Sequence, residues 1–165
     1  MIVLRACSPR HKDKLDGMGA KKVGGRWNRE GLPVNYTSDT KDTIRAELKN
    51  RGRDPEKLGH RFVQIEISDN LEILELTREM LEGSKWDLDD YEKDECPAQA
   101  IGSEILDANQ YAVVKVPSVR SKGFNYLLNQ TILNLKRMLR LSEMSLSPGN
   151  RILIKLKNLA RDHLE

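Results

Sequence analysis

Five glycines fall between residues 17 and 31, in a stretch that reads GMGAKKVGGRWNREG. Glycine weakens helix and strand interiors and permits backbone conformations that other residues avoid. Within this stretch, Gly24 and Gly25 precede an arginine, a tryptophan and an asparagine, and that combination fits neither a helix interior nor an alternating strand. The sequence therefore predicts a long, shaped loop, which either holds a ligand or only turns a corner. The predicted loop runs through residues 8–28, SPRHKDKLDGMGAKKVGGRWN, and a loop of that length is usually functional or disordered.

Regular elements follow and precede this loop. Residues 1–7, MIVLRAC, are typical of a strand, and residues 32–38, LPVNYTS, are typical of a second, short strand. A helix is predicted over residues 41–51, KDTIRAELKNR, with Asp39 or Thr40 as its N-cap. Its apolar positions recur at helical spacing, which predicts that one face of the helix packs on the rest of the chain.

The second half of the chain continues this mixture of α and β elements. Apolar residues alternate in residues 60–68, HRFVQIEIS, and a shorter strand is predicted at residues 71–76. Proline is favoured in the first turn of a helix, so Pro97 predicts a helix that runs through residues 98–109. Residues 111–118, YAVVKVPS, predict a buried strand. The C-terminal part combines strand-like and helix-like patterns, so no element is assigned there.

Composition limits the class of protein. A chain of 165 residues with 38% hydrophobic and 32% charged residues is typical of one soluble globular domain, and its apolar runs are too short to cross a bilayer. The first residues are apolar and the charge follows them, the reverse of a secretory leader, so we expect a cytoplasmic protein. Two distant cysteines and three histidines offer little for a disulfide framework or a metal site, so we expect no metal.

Charge is unevenly distributed along the chain. The net charge of +3 is below what usually marks a dedicated nucleic-acid binder. Residues 86–95 contain six acids and one lysine, whereas the segment from Lys136 to Arg161 carries seven basic residues. These segments are interpreted either as solvated surfaces or as a docking surface for a protein partner.

Five side chains could carry chemistry, and each also has a purely structural interpretation. Arg5 stands in an apolar strand, where an arginine either lies at an edge or pairs with an anion such as a phosphate. Arg26 follows two glycines that permit close backbone approach, and Tyr36 could stack on a planar ring or simply pack. Glu47 could bind hydroxyl groups or form a surface salt bridge, and Ser118 could be a turn residue.

The order of these residues resembles the RES domain, a bacterial family of toxins named for an arginine, a glutamate and a serine. The resemblance covers residues from about Arg5 to Asn129, and the spacing of ten residues from Arg26 to Tyr36 and eleven more to Glu47 is specific. The matching segments, in order, are VLRA, GMGAKKVGGRWN, LPVNYTS, RAELKN, AQAIGSEIL, KVPSV and FNYLLNQ.

This resemblance implies a fold and an activity. It implies that residues 1–165 form a single compact α+β domain related to the ADP-ribosyltransferase and diphtheria-toxin catalytic domains, with a cleft between two small sheets that binds NAD. It implies an enzyme that depletes NAD by breaking the nicotinamide–ribose bond, through phosphorolysis or hydrolysis, or that transfers ADP-ribose to a protein. NAD is then the substrate, and no separate cofactor is expected.

The resemblance also implies partners. Family members are typically encoded beside an Xre-type antitoxin that blocks the active site in a larger complex, and a homodimer of the toxin within that complex is a further expectation. The antitoxin usually binds the DNA in such pairs, so no direct nucleic-acid contact and no membrane contact are expected of this chain.

Carried onto this sequence, the resemblance assigns a catalytic set of Arg26, Tyr36 and Glu47. NAD offers two phosphates, ribose hydroxyls and a cationic ring, so its site needs cations, hydrogen-bonding groups and an aromatic platform. Glu47 would stabilise the oxocarbenium-like transition state as nicotinamide leaves. The residues expected to bind NAD are Arg5, Arg26, Tyr36, Glu47, Ser118 and Asn125. Trp27 and Asn28 are expected to shape the loop.

Two points keep other hypotheses open. Many family members carry a proline and a histidine after the NYLLN segment, whereas this chain reads LLNQTILNL, so no histidine can be assigned a role there. A different class of function is a non-catalytic module whose basic C-terminal segment contacts a partner or nucleic acid. That hypothesis predicts that a Glu47→Gln substitution leaves function intact, whereas the enzymatic hypotheses predict its loss.

Overall fold

The structure is a computed structural model that describes residues 1–49, 52–69, 71–88 and 96–133 in full, together with the backbone of residues 139–143 and 152–156. The helices are α1 (Met18–Val23), α2 (Lys41–Lys49) and α3 (Pro97–Asp107), and a 3-10 turn covers Pro9–His11. The strands are β1 (Ile2–Cys7), β2 (Val34–Ser38), β3 (Arg61–Glu66), β4 (Ile73–Glu75), β5 (Val113–Pro117), β6 (Phe124–Asn129), β7 (Leu139–Glu143) and β8 (Ile152–Leu156).

Six strands form one mixed sheet in the order β3-β1-β2-β6-β5-β4. Neighbouring strands are antiparallel except β4 and β5, which are parallel because α3 lies in the connection between them. Strands β7 and β8 pair with each other in a separate two-stranded ribbon. The predicted fold class, a single compact α+β domain, is confirmed.

The sheet is weakly joined in its middle. Strands β1 and β3 pair along their whole length, from Ile2↔Glu66 to Cys7↔Arg61, whereas β1 and β2 pair only at Leu4↔Ser38. The six strands therefore consist of a two-stranded part and a four-stranded part that meet at one residue pair. The resemblance implied two small sheets around a cleft, and the structure has one continuous sheet with a narrow junction of this kind.

Strands β5 and β6 of the sheet are buried on both faces. Val113 and Leu128 belong to one hydrophobic cluster, and their chain neighbours Val114 and Leu127 belong to the other. Side chains alternate between the faces of a strand, so adjacent apolar residues reach opposite sides. The period-two pattern that predicted β3 has the same cause, since Val63, Ile65 and Ile67 all point into the first cluster.

The helices refine the sequence predictions. Thr40 is the N-cap of α2, because its Oγ1 accepts the Thr43 N–H at 3.1 Å. Asp39 instead accepts the Phe124 N–H at 2.9 Å and so ties the start of α2 to β6. Helix α1 was not predicted, because Gly19 disfavours a helix, and it interrupts the predicted loop for six residues. It ends where the Gly24 N–H bonds to the Ala20 carbonyl at 2.8 Å.

Some sequence predictions fall on residues that the structure does not describe. These are residues 50 and 51 at the predicted end of α2, residues 89–95 of the acidic stretch, and most of the basic segment from Lys136 to Arg161. Within the described parts of the chain, no helix combines the length and the apolar character needed to cross a bilayer.

Candidate active site

A pocket of about 160 Å³ opens beside the junction between β1 and β2. Five of the six residues expected to bind NAD line it, and the sixth, Ser118, lies directly behind the carboxylate of Glu47. The structure therefore brings all six predicted residues together. The lining residues are Arg5, Ala6, Arg26, Trp27, Tyr36, Ser38, Ile44, Glu47, Leu48, Pro117, Val119 and Asn125.

Glu47 is held by two hydrogen bonds that reach the same oxygen. The Ser118 hydroxyl donates to Glu47 Oε1 at 2.7 Å, and the Asn125 amide donates to the same atom at 3.0 Å. No residue in the described ranges donates to Oε2. The carboxylate is thus fixed through one oxygen and retains the other as an acceptor for a ligand.

Ser118 owes its place to the end of β5. It is fully buried, and its Oγ accepts the N–H groups of Arg120 and Ser121 at 3.2 and 3.1 Å, which closes a serine turn after Pro117. The hydroxyl has one proton, and that proton is donated to Glu47. Ser118 accordingly positions the carboxylate from behind, while its expected contact with NAD stays a prediction.

Ser38 is a site residue that sequence reasoning missed. Its hydroxyl donates to Asn125 Oδ1 at 2.6 Å across the paired strands β2 and β6. A carboxylate only accepts hydrogen bonds, so Asn125 must turn its NH₂ group toward Glu47, and Ser38 stabilises that orientation of the amide. Its signal in the sequence is its position two residues after Tyr36, because alternate residues share one face of a strand. Below, Ser38, Glu47, Ser118 and Asn125 are termed the carboxylate wall.

A second part of the pocket lining, Arg26 and Trp27, belongs to the turn Gly24–Asn28, termed the loop wall. The Gly25 N–H donates to the Asn28 carbonyl at 2.8 Å, and the Tyr36 hydroxyl packs so closely on Gly25 that a Cβ there would lie 2.6 Å from it. That hydroxyl accepts the Trp27 N–H at 3.0 Å and donates to Asn28 Oδ1 at 2.7 Å. Gly25 therefore makes room for the tyrosine that holds the turn, while Gly24 adopts a φ of 66°, a conformation that favours glycine.

Asn28 stabilises the loop wall from inside. It is fully buried, and its Nδ2 donates to the carbonyls of Ala20, Arg29 and Leu32 at 3.1, 3.0 and 3.2 Å. A buried amide that satisfies three backbone carbonyls has a structural role. Trp27 is buried as well and stacks on Trp86, with ring centroids 5.9 Å apart and an interplanar angle of 27°. Both residues shape the loop.

Helix α3 supports the loop wall. The Gln99 amide donates to the carbonyls of Gly25 and Asn28 at 2.9 and 3.2 Å, and Ser103 Oγ accepts the Arg29 N–H at 2.8 Å. Gly102 lies against the backbone of Trp27, where a Cβ would overlap the Trp27 carbonyl. The predicted helix after Pro97 therefore serves to position the loop.

Two guanidinium groups give the pocket its positive charge. Arg26 is only 7% exposed, and its Nη1 donates to the carbonyls of Trp86 and Leu88 at 3.1 and 2.8 Å. Arg5 donates to the carbonyl of Lys14, and its burial lowers its pKa, an effect that nearby Cys7 and Asp16 partly oppose. Arginine remains protonated at neutral pH in such surroundings, so the pocket favours an anionic ligand.

Metal ligands and disulfides are not apparent in the described residues. There, no three side chains of histidine, cysteine, aspartate or glutamate are grouped in a way that could hold a metal ion. Cys7 and Cys96 are both free and buried. The chemistry of the pocket therefore depends on arginines, a carboxylate, amides, hydroxyls and aromatic rings.

Comparison with known proteins identifies the family. The family model of the RES domain matches residues 2–141, and the chain belongs to that family. A chain in the crystal structure of the M. tuberculosis MbcT–MbcA toxin–antitoxin complex has a similar fold, with a TM-score of 0.61 and 27% sequence identity over 77% of this chain and 72% of that chain. A comparison with curated protein sequences found no match. The family identified from the motifs is thereby confirmed.

Proposed function

We propose that this protein is the toxin of a bacterial toxin–antitoxin pair and acts by cleaving NAD at the nicotinamide–ribose bond. Membership of the RES domain family and the fold shared with a chain of a toxin–antitoxin complex support the biological class. The observation that carries the chemistry is the carboxylate of Glu47, fixed through Oε1 and open at Oε2, in a pocket that also holds two guanidinium groups.

The pocket offers the groups that recognition of NAD requires. Arg5 and Arg26 supply positive charge for the pyrophosphate or for the oxygens of the adjacent ribose. The ring of Tyr36 and the apolar side chains around it offer a surface on which the flat nicotinamide can pack. Because the Tyr36 hydroxyl is bonded to the loop wall, the ring keeps one orientation and needs no reordering when a ligand binds.

The proposed reaction breaks the bond between ribose C1′ and the nicotinamide nitrogen. The electron pair of that bond passes to the ring nitrogen, so nicotinamide leaves as a neutral molecule and positive charge develops on the ribose. Glu47 Oε2 accepts a hydrogen bond from a ribose hydroxyl and stabilises this charge. Water or phosphate then attacks C1′, and a proton is lost to solvent. The leaving group needs no proton, so Glu47 acts by electrostatic stabilisation.

The test is to incubate the folded, antitoxin-free protein with NAD and to measure nicotinamide release with and without inorganic phosphate. Release that depends on phosphate indicates phosphorolysis, release without phosphate indicates hydrolysis, and labelled protein from adenine-labelled NAD indicates ADP-ribosyl transfer. We expect Glu47→Gln to lose the activity and the exposed control Glu104→Gln to retain it. The absence of release and of labelling under all conditions would contradict the proposal.

We further propose that an Xre-type antitoxin is the partner of this chain and that the toxin is a homodimer within their complex. The support is the family and the structural similarity to a chain of a toxin–antitoxin complex. Co-expression with the product of the adjacent reading frame should restore growth and yield a co-purifying complex, whose mass reports the number of toxin copies. Toxicity that the adjacent protein does not relieve, with no complex formed, would contradict this part.

A further inference from the structure

Arg78 lies outside the pocket but contacts the turn that presents Ser118. Its Nη2 donates to the Ser118 carbonyl at 2.6 Å and to the Ser121 carbonyl at 3.1 Å. Both carbonyls belong to the serine turn that begins at Ser118, and the Ser118 hydroxyl donates to Glu47. The guanidinium group therefore holds the backbone of the carboxylate wall at the residue that orients the carboxylate.

The same guanidinium group also contacts the support of the loop wall. Its carbon lies 5.5 Å from the centroid of the Trp86 ring, and Trp86 stacks on Trp27 with centroids 5.9 Å apart. The carbonyl of Trp86 accepts a hydrogen bond from Arg26. Through one ring, Arg78 is thus connected to two residues that line the pocket.

We propose that Arg78 is a positioning residue that couples the two walls of the pocket, by holding the Ser118 turn on one side and the Trp86–Trp27 stack on the other. This inference rests on the proposed function for its catalytic consequence. Arginine suits the task because its planar group donates hydrogen bonds in its plane and stacks on a ring through its face. Lysine has the charge but lacks this planar geometry.

Two measurements report on the structure of the two walls and do not depend on enzymatic activity. The chain has two tryptophans, Trp27 and Trp86, and both are in the stack, so intrinsic fluorescence reports on the loop wall. The N–H groups of Arg120 and Ser121 bond to Ser118 Oγ, so their hydrogen exchange reports on the carboxylate wall. Loss of the Arg78 contacts should shift the emission spectrum and speed exchange at both amides.

The experiment compares Arg78→Ala and Arg78→Lys with the matched control Arg53→Ala, another exposed arginine. Arg78 is exposed, so both variants are expected to fold, which a thermal melt checks. For Arg78→Ala we expect a shifted spectrum, faster exchange at Arg120 and Ser121, and a kcat for nicotinamide release about tenfold lower, the equivalent of one or two lost hydrogen bonds. KM should change less than kcat, because the pocket surface itself is intact. Arg78→Lys should lie between Arg78→Ala and the wild type.

The outcomes separate this inference from the proposed function. If the wild type releases nicotinamide and Arg78→Ala retains its kcat, its spectrum or its slow exchange, coupling by Arg78 is wrong, because both walls must respond. If the wild type releases no nicotinamide, the proposed function fails, and the spectrum and the exchange rates still decide whether Arg78 joins the walls.

Discussion

The loop wall and the carboxylate wall line one pocket, and each contains an asparagine, buried in the first wall and half-buried in the second. In the loop wall, Asn28 donates all its amide hydrogen bonds to backbone carbonyls. In the carboxylate wall, Asn125 donates to a side-chain carboxylate, and Ser118 donates to the same oxygen atom. The polar groups of the first wall stabilise the backbone, and those of the second converge on an acid that keeps one oxygen for a ligand.

This difference shows that the role of a polar residue near a pocket follows from the groups to which it is hydrogen-bonded. A side chain whose hydrogen bonds end on backbone carbonyls contributes to stability, so its loss should lower the free energy of unfolding. A side chain whose hydrogen bonds end on a reactive group contributes to preorganisation, so its loss should lower kcat. Substitutions in the loop wall should therefore lower mainly the free energy of unfolding, and substitutions in the carboxylate wall should lower mainly kcat.

The largest effect is expected in the carboxylate wall, for Glu47→Gln. Glutamine has the shape of glutamate and still offers an oxygen to Ser118 and Asn125, but it places an NH₂ donor where Oε2 was an acceptor. Nicotinamide release should fall about 10²- to 10³-fold, as when a transition-state-stabilising group is removed. The melting temperature, measured by circular dichroism, should stay close to that of the wild type. A large loss of stability would assign Glu47 to the fold instead.

The next effect is expected behind the loop wall, for Gly102→Ala. The new methyl group would overlap the Trp27 carbonyl, a backbone atom that cannot move without displacing the turn. We expect a loss of about 3 kcal/mol in the free energy of unfolding, measured by urea denaturation. The control is Gly19→Ala in α1, where no atom lies within 4 Å of the new Cβ, and helix propensity should raise stability by up to about 1 kcal/mol. Equal stabilities for the two variants would refute the close packing of α3 on this wall.

A smaller effect is expected for Tyr36→Phe, which keeps the ring and removes the hydroxyl. That hydroxyl bonds both to the Trp27 N–H and to Asn28 Oδ1. Leaving these groups without it should cost about 2 kcal/mol of stability, again measured by urea denaturation. Tyr111→Phe is the matched control, since the Tyr111 hydroxyl has no partner among the described residues, and it should change stability by less than about 0.5 kcal/mol. If the two variants have the same free energy of unfolding, the Tyr36 hydroxyl does not stabilise the turn.

The smallest effect is expected for a pair of serines, one near each wall. Ser38→Ala removes the donor that orients the Asn125 amide, so kcat should fall about tenfold, the equivalent of one hydrogen bond. Ser103→Ala removes the acceptor of the Arg29 N–H and should lower stability by about 1 kcal/mol, with kcat near that of the wild type. Both variants are measured by steady-state kinetics and by urea denaturation. If Ser103→Ala lowers kcat more than Ser38→Ala does, the assignment of the two serines to different roles is wrong.

Local patterns predicted most of the secondary structure. Alternation at Val63, Ile65 and Ile67 predicted β3, and Pro97 marked the start of α3, because both signals depend on neighbours a few residues apart. Helix α1 escaped prediction because Gly19 disfavours a helix locally. Its Ala20 and Lys21 carbonyls accept hydrogen bonds from the Asn28 amide and the Gly31 N–H, and these contacts exist only in the folded turn. No element was assigned to the residues of strand β6, and their pairing with both β2 and β5 shows that they form a strand.

In the candidate site too, some residues were predicted from the sequence and others were found only in the structure. The seven matching segments, together with the spacing of Arg26, Tyr36 and Glu47, identified the family, and the structure brings those three side chains into one pocket. Ser38 was not identified, because its hydrogen bond to Asn125 spans 87 residues and exists only when β2 pairs with β6. The contacts of Arg78 with Ser118 and Trp86 likewise leave no local signal in the sequence.

Residue type and short spacing predict most of the elements and the glycine turn, and the resemblance to the RES domain adds the family and the six residues expected to bind NAD. The tertiary structure alone decided which oxygen of Glu47 is held and which is open, and which asparagine supports the fold and which the carboxylate. The physical reason is that hydrogen bonds select atoms, not residues. Their geometry depends on strands and turns that meet only after the chain has folded.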